Sequence, residues 1–230
     1  MKDWLNWKKC MEGWNLKVTD RKQLVDRIIE EKGEDAIPIL IKLLEDEDND
    51  VAEICLEALL GMGKAGRKAL VDKLKQIEAE NRKGDITALL IIDRLAESGN
   101  RKLVQLFYSF LKLYSDERSQ VIIYEALAKL GEGEKIVDPL IFMLDDAKNS
   151  EFIELLIMAL SNTGTRKALE RLSKLYHDEN IDKSTRSFVL EGIHNLIANN
   201  PNFSEILRET SKGKEILDKL YLWQQKNEQN

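Results

Sequence analysis

Proline, cysteine and histidine are scarce in this chain, and each scarcity removes a class of structure. Three prolines and 12 glycines in 230 residues leave few places where a helix must stop, which excludes the turn-rich composition of a β-sandwich or barrel. Almost no strand is expected. The two cysteines, Cys10 and Cys55, lie far apart and form no Cys-x-x-Cys pair, so neither a disulfide framework nor a thiolate metal site is indicated. Only His177 and His194 are present, with no His-Glu-x-x-His and no glycine-rich loop after a strand pattern, so the common metal and nucleotide motifs are missing. No run approaches the roughly 18 apolar residues of a membrane span. Lys2, Asp3, Lys8 and Lys9 interrupt the first eleven residues, where a secretion signal would carry its apolar core. The expectation is a cytoplasmic, monomeric chain without membrane association, cofactor, metal or catalytic residue.

What is abundant is charge and helix formers. Against 35 basic residues stand 41 acidic ones, a net charge of −6, so the surface as a whole repels phosphate backbones and no nucleic-acid partner is expected. Leu, Glu, Lys, Ala and Ile dominate the 43% hydrophobic and 33% charged composition, which suits long helices.

Self-similarity is the strongest signal. Five segments align without gaps on one pattern: 51–63, 87–99, 119–131, 152–164 and 185–197. Their ninth positions are Leu59, Leu95, Leu127, Leu160 and Ile193, at steps of 36, 32, 33 and 33 residues, each the length of one helical hairpin. Four segments end in Gly63, Gly99, Gly131 and Gly164, where a helix C-terminus needs positive φ. The eighth position is small in Ala58, Ala126, Ala159 and Gly192, with Arg94 the exception. Shorter amphipathic runs at 36–44, 67–74, 102–113, 136–144 and 167–176 supply partner helices. Pro38 and Pro139 are placed in the first turns of two of them.

The stretch DAIPILIKLLEDEDNDVAEICLEALLGMG, residues 35–63, resembles a short HEAT-like repeat of the kind also seen in phycobilisome-lyase subunits. The resemblance extends more loosely from Gly33 to Asn200. It implies an all-α fold, an α-α superhelix or HEAT-like solenoid of about five helical hairpins with helical caps, first helices outside and second helices inside. That family often places an arginine after the first apolar position of the second helix. Here Arg186 alone keeps it, and Ala52, Ala88, Gln120 and Ile153 stand elsewhere, so apolar packing must carry more of the contact between repeats.

On a helical wheel, positions 1, 4, 5, 6, 8 and 9 form a broad apolar arc that no single partner helix can cover. Stacking of the next hairpin supplies the rest. Positions 3, 7 and 10 stay open and provide the candidate partner-binding residues: Glu53, Glu57 and Leu60; Leu89 and Asp93; Val121 and Glu125; Met158; Glu191 and His194. Carboxylates at the seventh position in four segments of five point to a protein-interaction scaffold or adaptor that binds a basic, partly apolar protein or peptide on its concave face. A DNA alkyl-base glycosylase-like HEAT enzyme and a bilin-lyase or chaperone-like subunit are the alternatives. The first requires a basic groove that this pattern does not supply.

Three regions follow. Residues 1–33 form a tryptophan-rich helical cap, in which Trp4, Trp7, Met11 and Trp14 share one stripe; the cap covers Leu24 and Ile28, or the stripe anchors a partner. Residues 34–200 hold the repeats. Residues 201–230 form a C-terminal cap, with Ile206, Leu207, Ile216, Leu217, Leu220 and Tyr221 facing inward and a frayed tail from Gln224. The acidic loop Glu45–Asp50 lacks the glycine and terminal glutamate of a calcium loop, so Asp48 or Asp50 is read as a helix cap. The segment 77–84 is read as a protruding loop.

Burial of one large apolar side chain stabilises by about 1.5–3 kcal/mol, while each ordered residue costs roughly 1–2 kcal/mol of backbone entropy. One hairpin is therefore insufficient. A fragment of residues 1–99 is expected to lack a cooperative thermal transition, and a sharp independent melt of that fragment would contradict stacking as the source of stability.

Overall fold

A computed structural model describes residues 18–46 and 48–227. It is all-helical, and no strand occurs among the described residues. In chain order the helices are α1 Val18–Lys32, α2 Ile37–Leu43, α3 Asn49–Gly61, α4 Gly63–Ala79, α5 Ile86–Ala96, α6 Val104–Phe110, α7 Glu117–Leu127, α8 Gly133–Asp146, α9 Ser150–Asn162, α10 Arg166–Tyr176, α11 Lys183–Asn199, α12 Asn202–Arg208 and α13 Ser211–Asn227. The chain divides into two compact units, Met1–Ile91 and Ile92–Asn230. The boundary falls within α5, inside the stretch read as repeats. The stripe of Trp4, Trp7, Met11 and Trp14 lies outside the described residues.

The five aligned segments coincide with α3, α5, α7, α9 and α11, and each begins on a polar side chain. Asp48, Asp85, Asp116, Asn149 and Asp182 accept the backbone N–H groups of Asp50, Ala88, Ser119, Phe152 and Thr185 at 2.8–3.1 Å. Each bond satisfies a donor that the first helical turn leaves orphaned. The stops are equally regular. Gly63, Gly99, Gly131 and Gly164 have φ of 67°, 62°, 85° and 65°, a conformation that costs other residues. The fifth segment has Ile197 there instead, and α11 runs on to Asn199.

Within each unit, helices pack on their next and next-but-one neighbours. In the first unit α1 lies against α3, α2 against α3 and α4, and α3 against α4. In the second, α7, α9 and α11 pack in sequence, α8 and α10 meet on the other side, and α12 and α13 close on α11. The ninth-position residues Leu59, Leu127, Leu160 and Ile193 are fully buried, and Leu95 nearly so. At the eighth position Ala58, Ala126 and Ala159 are also fully buried. A Cβ on Gly192 would stand 2.9 Å from Ile157 Cγ2 and 3.3 Å from Leu172 Cδ1, so the small residue is what lets α9, α10 and α11 approach.

Several expectations need correction. Pro139 is interior to α8, not in its first turn, because the preceding stop at Gly131 lets the helix begin at Gly133. Pro38 does sit in the first turn of α2. The segment from residue 77 is not all loop: α4 continues to Ala79, and Ile77 is fully buried. The turn that follows is held by Arg82, which donates to Glu45 at 2.7 Å and pairs with Asp85. Glu45 also meets Lys73 Nζ at 2.8 Å, and the Lys73 hydrogen bond, then that of Arg82, holds its carboxyl below the usual range. Tyr221 is 62% exposed and faces outward, while Leu207, Ile216 and Leu220 are buried as expected. The C-terminal helix continues through Gln224 to Asn227. Arg186 bonds the carbonyl of Asp178 at 2.8 Å, tying down the turn before α11.

Two outcomes follow from this framework. A Cβ on Gly133 would lie 1.9 Å from the Thr163 carbonyl oxygen, so Gly133→Ala should lower stability by about 1–3 kcal/mol, against the usual helical gain of alanine over glycine. A urea midpoint at or above wild type would refute it. The Ser119 N–H, and then its side chain, hold the Asp116 carboxyl below its ordinary pKa. Its contribution is therefore full above the unfolded pKa and fades as pH falls through the folded one. Asp116→Ala should cost about 1 kcal/mol at neutral pH, with the gap to wild type narrowing in acid; a pH-independent gap would contradict the cap.

Candidate functional site

The open-face positions of each segment were the candidates, and the two units treat them differently. In the first unit Glu53, Glu57 and Leu60 lie on α3, each half-buried, and Leu89 lies half-buried on α5. The two glutamates are not free charges. Arg21 of α1 reaches across, with Nη2 donating to Glu53 Oε2 at 2.6 Å and Nε 3.9 Å from Glu57 Oε1. Asp50 stands 3.8 Å from the same guanidinium. One arginine thus offsets part of the negative charge on this face.

In the second unit the same device recurs with lysine. Lys129 Nζ lies 3.2 Å from Asp93 Oδ1 and 3.3 Å from Glu125 Oε1. Burial works against the lysine charge, yet Glu125 and then Asp93 more than offset it, and its pKa lies above the ordinary value. Asn162 Nδ2 donates to Glu125 Oε1 at 3.1 Å, linking α9 to α7. Lys129 and Asn162 both occupy the eleventh position of their segments, one turn beyond the seventh, and each reaches back to the carboxylate of the preceding segment.

The turn that carries Lys129 has its own support. Residues Ala128–Glu132 form a wide π-type turn around Gly131. Glu132, buried at 6% exposure, accepts from Lys135 at 2.5 Å and from Arg101 and Tyr108 at 3.4 Å. The Lys135 hydrogen bond leads in holding the Glu132 carboxyl below its usual range. Burial, followed by the Glu132 charge, raises the Tyr108 phenol.

Val121 does not belong to any open surface. It is fully buried, because its face of α7 is covered by packing, and its expected role as a partner contact is withdrawn. Met158 is half-buried on α9, one turn from Glu154, and Ser187, Glu191 and His194 are spaced along one side of α11. Glu154 and Glu191 have no hydrogen-bond or ion-pair partner among the described residues. Glu154 belongs to the same open positions, so it stands beside the predicted set as a carboxylate without an internal partner. His194 belongs to a different setting. It lines a cavity of about 440 Å³ with Ile197 of α11, Arg208 of α12 and residues of α13.

Other chemistry is sparse. Cys55 is buried, and burial, with the Asp46 charge behind it, pushes its thiol up to about 12, which leaves it unreactive at neutral pH. In the acidic loop Asp48 is a helix cap and Glu45 is held by Lys73 and Arg82. Among the described residues no cluster of three His, Cys, Asp or Glu side chains is arranged to hold a metal ion, and no helix is long and apolar enough to cross a membrane.

Sequence reasoning missed Arg21, Lys129 and Asn162. The signal for the last two was available: Asp93 and Lys129 are separated by 36 residues and Glu125 and Asn162 by 37, one repeat plus one helical turn. Arg21 lies before the first aligned segment and offered no such pattern. Comparison with known proteins adds no assignment: no family model and no curated protein matches this chain.

Proposed function

We propose that the chain is a non-enzymatic scaffold or adaptor, built as a HEAT-like α-solenoid, that binds a basic, partly apolar protein or peptide. The observation that carries this reading is the packed series α7, α9 and α11, in which the seventh positions Glu125, Met158 and Glu191 all remain partly open. Lys129 pairs with Asp93 and Glu125, whereas Glu154 and Glu191 have no ion-pair partner among the described residues. The surface keeps a net negative charge, with Met158 as an apolar contact among the acids. A basic partner gains electrostatic attraction there, and the half-buried thioether adapts to an irregular apolar surface.

The internal pairs move the centre of this site. Glu53 and Glu57 attract a partner weakly because Arg21 already sits against them, and Glu125 is shared between Lys129 and Asn162. Glu154 and Glu191, with no internal ion-pair partner among the described residues, are left for an external one. In a solenoid the second helices form the concave side, which places these residues where an extended peptide or a protein edge docks.

The test is capture of basic proteins from an extract of the native cell on the immobilised chain, followed by substitution. Glu154→Lys with Glu191→Lys should reduce the affinity of the captured partner at least about tenfold, since reversal replaces attraction with like-charge repulsion at two sites. Thermal stability should stay near wild type, because neither glutamate has an internal partner. Unchanged affinity in a folded double variant would overturn this placement of the site, and a captured partner of acidic character would overturn the proposed chemistry.

A further inference from the structure

The cavity beside α13 differs from every other surface described above. It is bounded by α11, α12 and α13, and its apolar floor is Ile197, Leu217 and Leu220. Leu220 is buried, whereas Ile197 and Leu217 are left half-buried. Tyr221, 62% exposed, forms one wall. Arg208 and Lys214 stand on the rim. Neither of their side chains makes an ion pair or hydrogen bond among the described residues. Asp218 is the one acid of the lining among the described residues, where Arg208 and Lys214 outnumber it, on a chain whose net charge is −6.

From this arrangement we infer that the cavity is a binding site for a small amphiphilic carboxylate: an aliphatic or aromatic body seated on Ile197, Leu217 and Leu220, with its carboxylate held by Arg208 and Lys214. Three features carry the assignment. The volume, about 440 Å³, is that of a small-molecule site. Ile197, Leu217 and Leu220 are buried or half-buried while Arg208 and Lys214 are exposed, which suits a molecule with one apolar end and one anionic end. The guanidinium of Arg208 offers paired donors whose spacing matches a carboxylate. A neutral apolar ligand would leave both cations without a counter-charge, and a cationic one would meet them with repulsion.

The site is separate in chemistry from the acidic face of α7, α9 and α11. It recognises an anion on the floor and rim formed by the closing helices, while that face recognises cations. His194 contributes to the lining but is not needed for the charge argument.

The experiment uses the full chain and sodium decanoate, titrated by isothermal calorimetry below its micellar concentration, with decyltrimethylammonium as the probe of opposite charge. Decanoate should bind saturably at one per chain. Arg208→Gln and Lys214→Gln, both at exposed positions, should each weaken it about tenfold, and Leu217→Trp should block it by filling the floor, with circular dichroism melting of all three near wild type. Decyltrimethylammonium should bind more weakly than decanoate and should not be weakened further by the loss of either cation, since that loss removes a repulsion. The inference is overturned if decanoate shows no saturable binding, if the folded glutamine variants bind it as wild type does, or if the cationic amphiphile binds equally well. It is also overturned if only an acidic peptide binds at this surface, since that would make it a protein-docking groove.

Discussion

Each second helix of this chain is apolar around more of its circumference than one neighbour can cover, and that excess dictates the arrangement. Leu59, Leu127, Leu160 and Ile193 are completely buried: α7, α9 and α11 each pack both on a partner helix and on another aligned helix, while α3 is covered by α1, α2 and α4. Small residues at the eighth position permit the close approach, most tightly at Gly192 against Ile157 and Leu172. Within each unit the main helix contacts are consequently with next and next-but-one neighbours.

The same geometry explains the polar pairs. Where seventh positions of successive helices lie side by side, their carboxylates would repel one another, and Lys129 stands between Asp93 and Glu125. Arg21 gathers Asp50, Glu53 and Glu57 of the single helix α3, and Asn162 supplies a neutral link from α9 to Glu125. Such half-exposed pairs contribute little to stability in water. Their effect is on specificity, because they decide which acids remain available to a partner and which are already occupied.

Much of the fold was legible in the sequence, and the reason is local. The repeat length, the helix stops at four glycines, the Asp48 cap and the amphipathic partners all depend on backbone preferences within a few residues. Where the reading failed, the deciding contact came from elsewhere. Val121 is covered by packing that no periodicity of α7 reveals, Tyr221 points outward because Leu220 takes the inward place, and Pro139 lies within a helix whose start is set by the stop at Gly131. The candidate site was legible as a set of positions but not as a charge distribution. Glu57 and Glu191 look alike in the sequence, yet one faces Arg21 and the other has no internal partner. The cavity of α11 to α13 escaped notice because its parts come from the end of the last aligned helix and from two closing helices, which share no sequence pattern.

Paired start and stop signals frame each second helix independently of what lies inside it. An aspartate or asparagine opens the helix through a bond to its own first turn, and in four cases a left-handed glycine ends it. Interior side chains can therefore drift in sequence as long as they remain apolar and of suitable size, since the frame that sets helix length does not rely on them. Change at the surface is freer still. A chain punctuated in this way can acquire new recognition surfaces by exchanging solvent-facing residues without rebuilding its architecture.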